Sequence, residues 1–110
     1  MARTSRTVAA TLAVRVPVNA AGDLVDGAAR IVERIDAVER VDEPRMNGLA
    51  PGLNDTTVRL RARVTVAVGD RGEDVAVARR ELEAGVGVAD VADVEAVDPD
   101  ATLAGRARVG

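Results

Sequence analysis

The sequence predicts an α+β fold in which a four-stranded antiparallel sheet carries two helices on one face. Three observations lead there. Segments 7–18 and 58–68 alternate apolar and polar side chains, as half-buried strands do. Each is followed by a stretch with apolar residues at helical spacing, and each helical stretch leads into a second, less regular Val-containing segment. At 110 residues and 47% apolar content, the chain has the length of one domain and enough apolar material for one core. The expected division is a loose tail over 1–6, a single domain over 7–98 and a second tail over 99–110.

In the first strand Val8, Ala10, Leu12, Val14, Val16 and Val18 share one face. Thr7, Ala9, Thr11, Ala13 and Arg15 share the other, and Pro17 suits the strand's end. Asn19 or Asp23 is placed to cap the helix that follows, whose apolar stripe is Leu24, Ala28, Ile31, Val32 and Ile35. Asp26 precedes Arg30 by four positions, the favourable order for an ion pair along a helix. Gly27 costs this helix about 1 kcal/mol relative to Ala, so its stability rests on the apolar stripe. Residues 37–46 predict a short edge strand. Pro44, Gly48, Pro51, Gly52, Asn54 and Asp55 then predict a long loop.

The third strand has the clearest alternation. Val58, Leu60, Ala62, Val64, Val66 and Val68 point one way; Arg59, Arg61, Arg63, Thr65 and Ala67 point the other. Gly69-Asp70-Arg71-Gly72 turns the chain, and Glu73 and Asp74 open a helix where carboxylates suit its dipole. Val75, Ala78 and Leu82 form its stripe and Gly85 its C-terminal cap. Val recurs at 88, 91, 94 and 97. Spacing of three suggests a helical turn, β-branched content a strand; the reading adopted is a strand over 91–97 with Ala92, Val94 and Ala96 inward. The order β-α-β-β-α-β predicts a ferredoxin-like plait, with the first and third strands central.

Composition excludes more chemistry than it suggests. The chain has no Cys and no His, which removes disulfides, thiolate metal sites, thiol nucleophiles and the usual general base. It also lacks Lys and Tyr, and its single Ser is Ser5 in the expected tail. Only carboxylates remain for proton transfer, most of them on solvated faces. No enzyme activity, cofactor or metal is expected. The run Asp90, Asp93, Glu95, Asp98 and Asp100 lacks the spacing and central Gly of a calcium loop. Gly69-Asp70-Arg71-Gly72 has the GxxG form of KH domains but follows a strand, so it reads as a tight turn.

Phe, Tyr and Trp are also absent. An aromatic side chain buries roughly 150–250 Å², more than Val or Leu, so the core will be thin and self-association is a plausible remedy. Arg3 and Arg6 before the apolar run 8–14 imitate a leader peptide, but Arg15 interrupts the run and the strand reading is better. No segment reaches the ~20 apolar residues of a membrane span. A cytoplasmic protein without membrane contact is expected.

Charge is segregated by element. Residues 1–18, 44–72 and 101–110 are net basic, whereas 19–43 and 73–100 are net acidic. In the predicted fold Arg15, Arg59, Arg61 and Arg63 share the open sheet face with small Thr and Ala side chains. Three uses compete for that face. It could bind an anionic ligand, either nucleic acid or an acidic protein surface. It could be an ordinary solvated face, with Arg15 neutralised by Asp93 or Glu95. It could pack against another copy. Nucleic-acid-binding plaits stack bases on aromatics at this face, and none exist here. Arg45, Met46, Asn47 and Leu49 form a second candidate, in the expected loop: a core cover or a partner-binding segment.

Val64-Thr-Val-Ala-Val-Gly-Asp70, the acidic helix after it and Gly87-Val-Ala-Asp-Val-Ala-Asp-Val94 resemble the second half of the exchange domain of the archaeal elongation-factor beta subunit. The resemblance implies a plait and an accessory role in translation. That family's Phe-Gly-Leu stretch before the third strand has only a loose echo in Asn47-Gly-Leu49, and no functional residues are carried over. The leading expectation is a binding or assembly module, most simply a homo-oligomer.

Overall fold

The computed structural model describes residues 5–18, 22–68 and 74–97. Six elements follow in order: β1 (Ser5–Pro17), α1 (Leu24–Glu33), β2 (Val38–Pro51), β3 (Asp55–Ala67), α2 (Asp74–Glu83) and β4 (Val88–Ala96). The strands form one antiparallel sheet in the order β2-β3-β1-β4. The α+β class is therefore as expected, and the first and third strands lie side by side at the centre. They pair without a register break from Ser5↔Ala67 to Pro17↔Asp55. Strict alternation in both keeps every Val and Leu of the two strands on one side with no extra residue to absorb. Ser5 and Arg6, expected in a tail, belong to β1.

Val8, Leu12, Val14 and Val16 of β1 are buried with Val58, Leu60, Val64 and Val66 of β3. Ala28 and Val32 of α1 and Ala78 and Leu82 of α2 complete the same cluster, so both helices cover one face. Leu12, Leu60 and Leu82 are the largest fully buried side chains among the described residues, a thin core. Asp23 caps α1: its side chain accepts a hydrogen bond from the Asp26 amide at 2.8 Å. In α2, Val75 is only half buried, and Ala78 and Leu82 reach the core instead. Asn19, the 69–72 turn, Glu73, Asp98, Asp100 and the tails at 1–4 and 99–110 lie outside the described residues.

Both edge strands depart from expectation, for one reason. β2 continues through the expected loop to Pro51, so Arg45, Met46, Asn47 and Leu49 are strand residues, and the turn to β3 shrinks to 52–54. The strand survives its breakers by bulging. Its register slips three times, at Val38/Arg40, Asp42/Arg45 and Met46/Gly48, each time absorbing one extra residue. Pro44 sits at one slip, on a sheet edge, where its missing N–H is tolerated. Val38, Val41, Met46 and Leu49 thereby stay opposite Val66, Val64, Leu60 and Val58. Alternation has given way to spacings of three and five.

β4 repeats the device. It starts at Val88, earlier than expected, and bulges on either side of Val91. Val91 is the buried residue and Val94 packs at the core's margin. Ala92 pairs with Thr11 on the open face and so does not face inward, whereas Ala96 pairs with Val8 on the helix side but stays exposed. The three-residue Val spacing marks a bulged strand, not a helical turn.

The halves of the chain also repeat one another. β1 and β3, α1 and α2, and the starts of β2 and β4 are each offset by fifty positions. Val8, Val14, Val16, Ala28, Arg30, Val38 and Val41 recur as Val58, Val64, Val66, Ala78, Arg80, Val88 and Val91. Glu43 and Asp93, also counterparts, both have φ of 51° at their bulges. A non-glycine residue there carries a penalty of about 1–2 kcal/mol that Gly escapes, less what Gly loses in unfolded-chain entropy. Asp93→Gly should therefore raise stability by about 0.5–1 kcal/mol. Urea unfolding checks this, and a lowered midpoint would contradict it.

Candidate functional site

Cross-strand register determines which side chains share the face that neither α1 nor α2 covers. β3 contributes Arg59, Arg61 and Arg63, paired on one side with Ala13, Thr11 and Ala9 of β1. On their other side stand Gly48, Arg45 and Asp42 of β2. Arg40 of β2 pairs with Thr65, and Arg15 of β1 with Thr57. β4 brings Glu95, Ala92 and Asp90 alongside Ala9, Thr11 and Ala13. The face is therefore organised in rows. The two β2–β3 rows are rich in Arg, the β1 row is small, and the β4 row carries carboxylates.

Sequence reasoning found Arg15, Arg59, Arg61 and Arg63 but missed the two β2 arginines. Arg45 was assigned to a loop, and Arg40 was not singled out because bulges hid the strand's facing. Met46 and Leu49 pair with Leu60 and Val58 on the helix-side face, where they stay 47% and 51% exposed. The expected loop cluster is thus split between the two faces of the sheet.

The guanidiniums are not equivalent. Arg61 donates to the Thr11 hydroxyl at 3.1 Å and lies 3.6 Å from Glu95. Arg63 lies 3.8 Å from Glu43. Arg40 donates to Asp42 at 2.7 Å, and this hydrogen bond, with the carboxylate's charge, pushes its pKa further above the ordinary guanidinium value. Such half-exposed pairs contribute little stability, yet they fix where the long side chains lie. Among the described residues no ion pair involves Arg15, Arg45 or Arg59. Arg15 is not neutralised by Glu95, which stands across from Ala9 at the other end of β1 and reaches Arg61. Arg45 stands directly across from Arg61, a like-charge pair that costs stability unless something answers it.

Asp90, Asp93 and Glu95 belong to two different settings. Asp93 forms the bulge, while Asp90 and Glu95 lie in the open row. Among the described residues no three metal-binding side chains converge, and no helix is long and apolar enough to cross a membrane. No protein-family model matches the chain, and no curated protein or solved structure matches it.

Proposed function

We propose that this chain is a small cytoplasmic, non-catalytic assembly module that associates with a second copy of itself through the open sheet face. We also read the fold as a ferredoxin-like plait, a reading supported by two split βαβ units whose first and third strands are central.

One observation supports the assembly reading: the face is self-complementary. A two-fold rotation about an axis along the strands, between β1 and β3, would set β4 of one copy over β2 of the other. It would also set β1 over β3. By register Glu95 would then stand level with Asp42, between Arg40 and Arg45, and Asp90 level with Gly48, next to Arg45, while the long Arg row of β3 would settle over the Thr and Ala row of β1. Such an interface is isologous and closed. Strands of about thirteen residues, at ~3.4 Å per residue and ~4.8 Å apart, give a face of roughly 800 Å². Each partner of a standard interface contributes about that area. Association along a sheet edge is the weaker route, because bulges in β2 and β4 deform both edges.

Light scattering tests the assembly reading. The dimer mass is expected at tens of micromolar protein and low salt, falling toward monomer as added salt screens the charge pairs. A clean monomer at high micromolar concentration and low salt would contradict it.

A second reading rests on Arg15, Arg45 and Arg59, whose charges no described carboxylate answers: the same face takes an anionic ligand such as nucleic acid. Electrophoretic shift with mixed RNA separates the two, because phosphate binding weakens steeply with salt. Lacking aromatics for stacking, such binding would be electrostatic and indifferent to sequence. A translation accessory role rests on the sequence resemblance alone; Asn47-Gly-Leu49, its loose echo, lies within β2.

A further inference from the structure

On the helix-covered side, where the sheet meets the ends of α1 and α2, lies an open groove of about 690 Å³. Its apolar surface includes Val16, Ile31, Ile35 and Val86, and Arg30 and Arg34 line it from α1. The two arginines are four residues apart and so lie on one side of the helix. Among the described residues neither is in an ion pair. Val86 is 93% exposed, held between Gly85 and Gly87 at the groove.

The internal repeat provides a control within the same molecule. Gly27, Gly85 and Gly87 of the groove have Val77, Ile35 and Ala37 as counterparts in the other half. Side chains are missing here where the repeat elsewhere keeps them. Their absence also shapes the site. A Cβ on Gly85 would come within 2.4 Å of Ile35 Cδ1, and one on Gly87 within 2.9 Å of Ile31 Cγ2. Charge follows the same asymmetry. Arg30 has Arg80 as its counterpart, but Arg34 has Ala84, so the paired arginines occur only on the side that carries the glycines.

We infer that this groove binds a small amphipathic anion. An apolar body lies on Val16, Ile31 and Ile35, and a carboxylate or phosphate head lies between Arg30 and Arg34. The volume suits a small ligand, and paired guanidiniums suit a two-oxygen head. Asp36 and Glu81, also in the lining, oppose a head of higher charge elsewhere in the groove. Arg15 of the open face also lines the groove, but Val16, Ile31, Ile35, Arg30 and Arg34 are on the helix side of the sheet, so the inference does not depend on the assembly reading.

The chain lacks Trp and Tyr, so binding is read with the fluorescent sulfonate 8-anilinonaphthalene-1-sulfonate and by its displacement. Decanoate or decyl phosphate should displace the dye, the better of them identifying the head group. Decanol, with the body alone, and acetate, with the head alone, should each be at least tenfold weaker. Arg30→Gln with Arg34→Gln, both on exposed positions, should weaken decanoate at least tenfold and leave the melting temperature unchanged. Ala84→Leu, filling the groove from an exposed position, should do the same without altering charge. Equal displacement by decanol, unchanged affinity in the double variant, or no saturable dye binding would each overturn the assignment.

Discussion

Leu12→Ala is expected to lower the stability of this chain by about 2–5 kcal/mol. Leu12 is fully buried on a central strand, opposite Leu60 on one side and Val91 on the other. Truncation forfeits its transfer free energy and leaves a cavity where two strand pairs and the helix layer meet. With no aromatic side chain to collapse into the space, little relaxation is available. A domain of this size is stable by only about 5–15 kcal/mol, so the loss is a large share of the whole. Leu53→Ala is the matched control: Leu53 is 97% exposed, and its removal should change stability by no more than about 0.5 kcal/mol. Chemical unfolding of the two variants decides the matter. Similar losses would mean that the core is not where the alternating strands put it.

The second large effect concerns the open face. Asp90→Arg with Glu95→Arg is expected to weaken self-association roughly 100-fold, about 0.7 kcal/mol for each of the four residues reversed across the two copies. Both residues are exposed and lie on an edge strand, so the fold should tolerate the change. Glu95 also lies 3.6 Å from Arg61 within its own chain. That pair is half exposed and contributes at most about 1 kcal/mol, too little to unfold the protein. Concentration-dependent light scattering with matched circular dichroism separates dissociation from unfolding.

Sequence legibility followed the regularity of each strand. β1 and β3 alternate without interruption, and their facing, pairing and central position were all readable, together with the four guanidiniums of Arg15, Arg59, Arg61 and Arg63. The edge strands were not, because a bulge at every few residues turns a period of two into a period of three, which is also helical spacing. Val88, Val91 and Val94 therefore sent mixed signals, and Pro44, Gly48 and Pro51 in β2 read as loop when they mark an irregular edge. Arg40 and Arg45 were lost from the candidate face as a result. The fifty-residue repeat was legible in principle, since Val38-x-x-Val41 and Val88-x-x-Val91 follow matching helices. Comparing the halves would have aligned β2 with β4 and exposed the glycines unique to the groove. The cap of α1 was readable only as Asn19 or Asp23, because Asn and Asp have the same dominant use before a helix and the sequence offers both; the structure selects Asp23.

The self-complementary face is tested most directly by mixing two chains that each fail alone. One carries Asp90→Arg and Glu95→Arg; the other carries Arg40→Glu and Arg45→Glu. In either homodimer β4 and β2 would then present like charges to one another, whereas in the heterodimer both contacts are attractive again. Light scattering should find each variant monomeric and their equimolar mixture dimeric. A mixture that stays monomeric, or single variants that associate as well as the parent chain, would contradict a dimer built by laying β4 over β2.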